Sequence, residues 1–390
     1  MLNFTFSNET KIVFGRGVQT QAGQDISQWG KKVLLHYGEG HIVRSGLKDE
    51  IIESLIAAGV DYVELGGVKP NPRLSLVNEG IELVRKENIE AILAVGGGSV
   101  IDSAKSIAVG VPYDGDVWDF FSGKNQPQSS LPVGVVLTIP AAGSESSPGA
   151  VLTNEDGWLK RSCGASFMRP KFALMNPELT FSLPLYATAC GIADMIAHIM
   201  ERYFTNEKEV GFSDHLCEGA IRGIMQEALK VINDPHDYGA RANIMWAGTL
   251  AHNDLLGMGR GGDWASHDIE HELSALYDVA HGAGLAIIFP AWMKYVYKHD
   301  IDRFVQFFVR IFGVEQDFYN PENTILEGIG RLEDFFRRIG LPTTLETAQI
   351  PTDRLEEMAK KASNNDTHKL GSFVPLGEKA ILEIYKLAKD

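Results

Sequence analysis

Three histidines lie within the fifteen residues HDIEHELSALYDVAH, which span positions 267–281. His267 and His271 are four residues apart, a spacing that puts both side chains on one face of a helix, and His281 follows ten residues later. Imidazole binds divalent transition metals and also transfers protons near neutral pH. The segment therefore indicates a metal centre, a proton-transfer site, or both.

A carboxylate and a further histidine, Asp194 and His198, repeat the four-residue spacing in the apolar segment ADMIAHIMERYF. A carboxylate in such a segment requires a counter-charge, hydrogen bonds or a metal ion. Two helices that each carry such a pair could build one mononuclear site, and this donor set suits Zn²⁺, Fe²⁺, Co²⁺ or Ni²⁺. Two plainer interpretations stay open: buried histidines are more often hydrogen-bonded core residues than ligands, and Asp194 could pair with Arg202.

A glycine-rich turn, GGGSVIDSAK at 96–105, follows the apolar segment AILAV and opens a helical pattern. Glycines let the backbone approach a ligand, and a helix N-terminus offers free N–H groups to a phosphate. A second glycine turn, YGEGH at 37–41, follows the segment KVLLHY. Two such turns at the carboxyl ends of strands in one sheet favour a dinucleotide site. The alternative is a tight turn without ligand, with Ser99 as N-cap and Asp102 completing a capping box.

The predicted secondary structure differs between the first and the second half of the chain. Strands are predicted at 32–37, 61–67, 91–98, 133–140 and 171–177, helices at 42–59, 74–88 and 99–110, and a surface loop at 111–131. The alternating order predicts a mainly parallel sheet with helices on both faces. Beyond 176–184 only long helical segments follow, at 185–204, 214–232 and 302–312. We therefore expect a Rossmann-like α/β dinucleotide-binding domain at 1–180 and a helical metal-binding domain at 181–390.

Composition narrows the classes of partner. The net charge of −15, from 51 acidic and 36 basic residues, argues against nucleic acid or an anionic membrane. The 3 cysteines are far apart and form neither a disulfide framework nor a CxxC motif, which favours a reducing compartment. No apolar run approaches the ~20 residues that span a bilayer, and no export signal is recognised. A soluble, cytoplasmic protein is predicted.

Together these motifs resemble the iron-containing (type III) alcohol dehydrogenases, and in particular their NADPH-dependent butanol dehydrogenase and aldehyde reductase branch. The resemblance runs through NFTFSNETKIVFGRG, VGGGSVIDSAK, GSESSPGAV, ADMIAH and GDWASHDIEHELSALYDVAHGAGLAIIFPAW, and covers nearly the whole chain. It implies a dehydroquinate synthase-like architecture, with a nucleotide domain followed by a helical metal domain. It also implies a homodimer.

The resemblance assigns roles to individual residues. It implies that the metal ligands are Asp194, His198, His267 and His281. His271 would lie near the nicotinamide as a proton relay, or would only orient a ligand or substrate. The implied cofactor contacts are Gly96, Gly97, Gly98 and Ser99 at the pyrophosphate, Asp102 near the nicotinamide, and Thr138, Ser144, Ser147 and Lys160 along the cofactor. The segment TIPAAGSE at 138–145 departs from the commoner TTAGTGSE pattern.

The turn YGEGH also bears on the choice of cofactor. NAD-using relatives place an aspartate just after the second strand, where it binds the ribose 2′-hydroxyl and repels a 2′-phosphate. Here that position is Gly38, which leaves room for the phosphate, and Gly40 lies on the same turn. NADP(H) is therefore predicted over NAD(H), although an inward-turned Glu39 would favour NAD(H) again.

The expected reaction is hydride transfer between NADP(H) and a short-chain primary alcohol or aldehyde, of the butanol or butanal type. One divalent metal, Fe²⁺ or Zn²⁺, would act as Lewis acid on the substrate oxygen. Three alternatives remain: a glycerol-dehydrogenase-like polyol dehydrogenase, a metal-dependent phosphohydrolase built on His267 and Asp268, and a non-catalytic nucleotide-binding protein. The candidates for lining a substrate pocket are Trp118, Phe121, Asn253 and Trp264.

Overall fold

A computed structural model describes residues 1–390, and in it the chain divides into two units. The α/β unit comprises Ser7–Leu183, and the helical unit comprises Pro184–Asp390 together with Met1–Phe6. The division falls at 183/184, close to the domain boundary predicted at 180/181. The first six residues were expected with the first domain, but the Leu2 N–H donates to the Gly259 carbonyl at 2.8 Å within the helical unit.

Eight strands and six helices form the α/β unit. The strands are β1 (Lys11–Phe14), β2 (Lys32–Gly38), β3 (Asp61–Val68), β4 (Ala91–Gly97), β5 (Val133–Ile139), β6 (Gly149–Asn154), β7 (Leu159–Gly164) and β8 (Phe172–Met175). The helices are α1 (Ala22–Ile26), α2 (His41–Arg44), α3 (Leu47–Ala57), α4 (Leu74–Glu87), α5 (Gly98–Gly110) and α6 (Trp118–Phe121). Six strands pair in parallel in the order β1-β8-β5-β4-β2-β3, and β6 and β7 form an antiparallel hairpin.

The central strands are apolar throughout because helices cover both faces of the sheet. Every residue of β4 is buried, which is typical of strands in parallel sheets. Val33, Leu35, Leu93 and Val95 point to one face and form a core with α1 and α3. The other face is covered by α5, which packs against both β4 and α4. The predicted Rossmann-like parallel sheet is confirmed.

Chain order places the two glycine turns side by side. From β2 the chain moves outward to β3 and then returns to the other side of β2 as β4. Tyr37 of β2 pairs with Val95 of β4, so the carboxyl ends of these strands are neighbours. In open α/β sheets, ligands bind where the strand order reverses in this way.

Local predictions within the α/β unit were wrong at several points. The helix expected at 42–59 is divided into α2 and α3, because Gly46 adopts a left-handed conformation with φ 79°. The loop expected at 111–131 contains α6, and neither β1 nor the β6–β7 hairpin was predicted. The capping box is absent: Gly97 is the N-cap of α5, no side chain caps the helix, and Ser99 lies within its first turn.

Nine helices form the helical unit. They are α7 (Leu185–Tyr203), α8 (Gly211–Asn233), α9 (Tyr238–His252), α10 (Ala265–Tyr277), α11 (His281–Val296), α12 (Ile301–Phe312), α13 (Pro321–Arg338), α14 (Leu355–Ala362) and α15 (Glu378–Leu387). The predicted all-helical second half is confirmed. None of these helices combines the length and the apolar character needed to cross a membrane.

Helices α7 and α11 lie at the centre of this unit. Residues 191–203 of α7 and 282–293 of α11 are buried on all sides, as expected for core helices. The two helices meet closely at Gly282, where an added Cβ would lie 1.9 Å from the Cys190 carbonyl oxygen. This contact brings the start of α11 beside the polar residues of α7.

Candidate metal centre and cofactor site

Three of the four predicted metal ligands converge from three different helices. Asp194 comes from α7, His267 from α10, and His281 is the first residue of α11. One ligand atom from each residue lies within 4.8 Å of the other two. Asp194 Oδ1 is 3.8 Å from His267 Nε2 and 3.9 Å from His281 Nε2. One carboxylate oxygen and two imidazole nitrogens therefore face a common point.

The fourth predicted ligand, His198, adjoins this group one helical turn after Asp194. Its Nδ1 lies 3.3 Å from Asp194 Oδ1, and its ring centroid lies 4.7 Å from that of His267. The alternative pairing of Asp194 with Arg202 does not occur. Instead, Arg202 donates to the His198 carbonyl oxygen at 2.7 Å and lies 3.6 Å from Asp254.

Three buried polar atoms of this group have no hydrogen-bond partner, as expected of atoms that bind a metal ion. Asp194 Oδ1, His198 Nδ1 and His267 Nε2 are all buried and have no hydrogen-bond partner. Buried polar atoms are rarely left in this state, because their desolvation is then uncompensated. These atoms belong to one cluster and are donor types for a divalent transition metal, so the residues fit the expected mononuclear site.

The pKa values of two imidazoles reflect the charges around them. Burial lowers the pKa of His198 well below its ordinary value, and the neighbouring His252 and His267 lower it further. His198 is therefore neutral, which is the form that binds metals. Burial also opposes protonation of His267, but Asp194 and Glu201 outweigh it and raise the pKa of His267 to about 9. The carboxylates thus favour positive charge at this point.

The glycines expected at the cofactor end their strands or begin the following helices. Gly38 closes β2 and Gly40 precedes α2 with φ 129°, while Gly96 and Gly97 close β4. Gly98 and Ser99 begin α5. A Cβ on Gly96 would lie 2.5 Å from the Val100 side chain, and one on Gly97 would lie 2.8 Å from that of Ile139. Glycine is therefore required here for packing, whether or not a ligand is bound.

The remaining predicted cofactor contacts lie in or near the segment after β5. Thr138, Ser144, Ser147 and Lys160 are all buried, and Lys160 belongs to β7. Asp102 accepts a hydrogen bond from Ser144 Oγ at 2.6 Å and another from the Val151 N–H at 3.0 Å. The structure therefore joins Asp102 to Ser144, and both oxygens of Asp102 already have protein partners.

Comparison with known proteins decides the family. The family model described as iron-containing alcohol dehydrogenase matches residues 9–177, and that for the C-terminal part of the Fe-containing alcohol dehydrogenase family matches residues 188–389. The chain belongs to the iron-containing alcohol dehydrogenase family. It is therefore an enzyme, an oxidoreductase, and the resemblance read from its motifs is confirmed.

Individual relatives match the sequence of this iron-containing alcohol dehydrogenase over nearly the whole length of both chains. The chain is 44% identical to a probable NADH-dependent butanol dehydrogenase 1 of Bacillus subtilis, covering 99% of each protein. It is 32% identical to the NADPH-dependent aldehyde reductase YqhD of Escherichia coli, covering 100% of each. The crystal structure of NADH-dependent butanol dehydrogenase A from Thermotoga maritima superimposes with a TM-score of 0.96 at 44% identity, covering 100% of this chain and 99% of that one.

Two buried glutamates of this family member contact the proposed ligands His267 and His281. Neither glutamate was predicted from the sequence as part of the site. Glu201 accepts from His267 Nδ1 at 2.7 Å and from its backbone N–H at 3.2 Å, and Glu270 contacts His281 Nδ1. Both glutamates are fully buried. A carboxylate behind a histidine orients the ring and directs its other nitrogen at the metal. Spacing could have indicated Glu201, which follows Asp194 by seven residues and so shares its helix face.

His271 lies beside the converging ligands rather than among them. Its ring centroid is 5.5 Å from that of His281, and its Nδ1 is 3.8 Å from Asp268 Oδ1. One ligand atom each from Glu270, His271 and His281 also lies within 4.8 Å of the other two. His271 therefore lies next to the proposed ligand His281, and its role as proton relay stays a prediction.

Among the predicted pocket residues, Trp264 lies against the candidate metal centre. Its ring centroid is 5.3 Å from that of His267 and 5.9 Å from that of His198. It has a left-handed backbone with φ 69°, and its N–H donates to Glu201 Oε2 at 2.7 Å. Asn253 is buried just after α9. Trp118 and Phe121 stack on each other in α6, which belongs to the α/β unit.

Proposed function

We propose that this member of the family is a metal-dependent alcohol dehydrogenase and aldehyde reductase. It transfers hydride between a nicotinamide dinucleotide and a short-chain primary alcohol or aldehyde of the butanol or butanal type. The observation that carries this proposal is the convergence of Asp194, His267 and His281 on one point with His198 beside them. The relatives named butanol dehydrogenase and aldehyde reductase support the substrate class.

Different residues of the chain have different roles in the proposed reaction. Asp194, His198, His267 and His281 would hold the divalent metal, and Glu201 and Glu270 fix the orientation of His267 and His281. The turn at 96–99, with Thr138, Ser144, Ser147 and Lys160, would bind the dinucleotide. When bound, the metal supplies a Lewis acid for the substrate oxygen, and the nicotinamide supplies or accepts hydride. The His271 imidazole would pass the hydroxyl proton between the substrate and solvent, with Asp268 orienting its Nδ1 side.

The choice between NADH and NADPH rests on the turn after β2. Gly38 leaves room for a 2′-phosphate, which is the basis for predicting NADP(H). The exposed Glu39 carboxylate opposes that phosphate, while Lys69, whose Nζ lies 3.8 Å from Glu39 Oε1, would attract it. The relatives at 44% identity are named NADH-dependent, and the one at 32% is named NADPH-dependent. We propose that Glu39 shifts the balance from the predicted NADP(H) toward NAD(H).

Other expectations from the sequence stay predictions. They are the identity of the metal as iron or zinc, the homodimer and the cytoplasmic location. The phosphohydrolase built on His267 and Asp268 gains no support, because the Asp268 side chain is 41% exposed and does not belong to the converging ligand group. No observation favours the polyol dehydrogenase, and the non-catalytic alternative is wrong, because the chain belongs to the iron-containing alcohol dehydrogenase family.

The proposal is tested by removing and restoring the metal. The protein is stripped with a chelator and reloaded with Zn²⁺, or with Fe²⁺ under anaerobic conditions, and butanal reduction is followed by the absorbance of NADH and of NADPH. Turnover is expected to disappear on stripping and to return with metal. Binding of the dinucleotide should survive stripping, because its proposed contacts all belong to the α/β unit and the ligands to the helical unit. Full activity of the stripped protein, or no turnover with either cofactor, would refute the proposal.

A further inference from the structure

Lys105, at the end of the motif GGGSVIDSAK, has a completely buried side chain on α5. Lysine is almost never fully buried unless its ammonium group is paired. None of the roles assigned above uses this residue. Its burial therefore requires an explanation in terms of the groups that it contacts.

The Lys105 ammonium group binds one short segment of the chain. Nζ donates to Ser144 Oγ, to the Ser147 carbonyl oxygen and to the Gly149 carbonyl oxygen, each at 2.9 Å. These bonds use all three N–H donors of the group. Ser144 Oγ in turn donates to Asp102, one turn earlier on α5. The segment 144–149 is thus tied to α5 by a buried cation and a carboxylate.

Two of the anchored residues, Ser144 and Ser147, are proposed cofactor contacts, and α5 begins at the glycine turn proposed for the pyrophosphate. We propose that Lys105 is a positioning residue for the dinucleotide, which holds the segment 144–149 in place relative to the glycine turn at 96–99. The inference rests on the proposed function, because it takes these serines as cofactor contacts. Lys105 itself touches neither the glycine turn nor, in this proposal, the dinucleotide.

The charge state of Lys105 gives the proposal a distinctive consequence. Burial lowers the pKa of Lys105 to about 8. The ionisable groups that act on it are Asp102, Glu145 and Cys163, which raise the pKa, and Arg169, which lowers it. The ammonium form holds the segment, so cofactor binding should weaken as the pH rises through about 8.

Loss of the Lys105 proton at high pH affects folding stability in the opposite direction to cofactor binding. The ordinary pKa of lysine is 10.5, so between pH 8 and 10.5 the unfolded chain carries a proton at Lys105 that the folded chain lacks. The contribution of Lys105 to the free energy of unfolding therefore rises with pH in this window. A role confined to folding would not weaken cofactor binding there.

The test measures NADH binding by fluorescence on metal-stripped protein, so that it does not depend on turnover. Lys105→Met should raise the Kd for NADH by about 10-fold or more at pH 7, because charge-assisted hydrogen bonds are lost. Lys86→Met, at an exposed lysine of the neighbouring helix α4, is the matched control and should leave the Kd unchanged. In the wild-type protein the Kd should rise from pH 7 to pH 9.5, whereas in Lys105→Met it should stay level.

The outcomes separate this inference from the function on which it rests. A folded Lys105→Met variant whose Kd stays within twofold of wild type would overturn the inference and leave the proposed function standing. If that variant does not fold, the wild-type pH series decides, and a Kd that is constant from pH 7 to 9.5 overturns it. Wild-type protein that binds neither NADH nor NADPH would refute both.

Discussion

At the scale of single residues, the candidate metal centre depends on side chains that would not touch the metal. Glu201 accepts hydrogen bonds from the His267 ring, the His267 backbone and the Trp264 backbone. One buried carboxylate therefore positions both a proposed ligand and the tryptophan beside it. Glu270 has the corresponding position behind His281. The four ligands alone therefore do not define the site.

Glu201→Gln should weaken metal binding by about 10- to 100-fold, the usual effect of losing such a carboxylate. The amide keeps the shape of the side chain but not the charge that orients and polarises the His267 imidazole. Zn²⁺ affinity is measured by competition with a chromogenic chelator, and NADH binding should not change. Glu209→Gln, at an exposed glutamate nearby in the chain, is the control. Equal Zn²⁺ affinity in the wild type and Glu201→Gln would contradict the role assigned to Glu201.

Glu39→Gln should raise kcat/KM for NADPH relative to NADH by about tenfold. A tenfold change corresponds to about 1.4 kcal/mol, which is the order of effect expected from removing one negative charge on the turn proposed to face the 2′-phosphate. Lys69→Met should move the ratio the other way, because it removes the cation that lies beside Glu39. Both ratios are measured with butanal at fixed pH and salt. A cofactor ratio unchanged by either substitution would show that this turn does not select the cofactor.

At the scale of elements, the candidate metal centre requires α7 and α11 to approach more closely than side chains normally allow. Gly282 directly follows His281 and lies against the backbone of α7 at Cys190. Gly284, two positions further, leaves space for Glu270, since a Cβ there would lie 2.3 Å from Glu270 Oε1. The segment HGAG at 281–284 thus combines a proposed ligand, His281, with the small residues that let α11 lie close to α7 and α10.

Gly282→Ala should separate α7 from α11, and so displace His281 from Asp194. We expect a loss of about 1–3 kcal/mol in the free energy of unfolding, as for other overpacked positions, together with weaker Zn²⁺ binding. The matched control is Gly219→Ala on α8, where an added Cβ meets nothing within 4 Å. That change should stabilise the helix by about 0.5–1 kcal/mol. Urea unfolding measures both, and similar effects at the two sites would contradict the packing argument.

At the scale of the whole molecule, an acidic chain with net charge −15 buries several charges in the helical unit. Asp214 of α8 accepts from Arg260 at 2.8 Å and from Arg303 of α12 at 2.7 Å. Arg303 also donates to the Tyr203 carbonyl oxygen at the end of α7. This network links the consecutive helices α7 and α8 to α12, which lies far from both in the sequence. Helix α7 carries two of the proposed metal ligands.

Asp214→Asn should lower the free energy of unfolding by about 3–5 kcal/mol, because it leaves two buried guanidinium groups without their counter-charge. Burial alone would raise the pKa of Asp214, but Arg303 and Arg260 outweigh it and lower the pKa below the ordinary 3.8. The stabilisation is therefore present above pH 3.8 and is lost as the pH falls further. Urea unfolding at pH 7 and below 4 checks both statements. The exposed Asp302→Asn is the control, and an equal loss there would contradict the argument.

The two-part fold and the pairing of the candidate metal ligands along their helices could be predicted from the sequence by itself. Apolar runs separated by amphipathic segments indicated a parallel sheet, and the loss of that alternation after residue 184 indicated a helical second half. The four-residue spacings of Asp194 with His198 and of His267 with His271 placed each pair on one helix face. These features are local, because periodicity and helix geometry depend on residues within a few turns of one another.

Only the tertiary structure decided which local features meet. Glu201 and Glu270 orient histidines, Ser99 does not cap its helix, and Lys105 is buried against a segment about 40 residues away. The meeting of α7, α10 and α11 depends on a close contact between Gly282 and the backbone at Cys190, far apart in the chain. Spacing along a sequence describes one element at a time. The partner of a buried charge depends on how different elements pack, and that is established only when the chain folds.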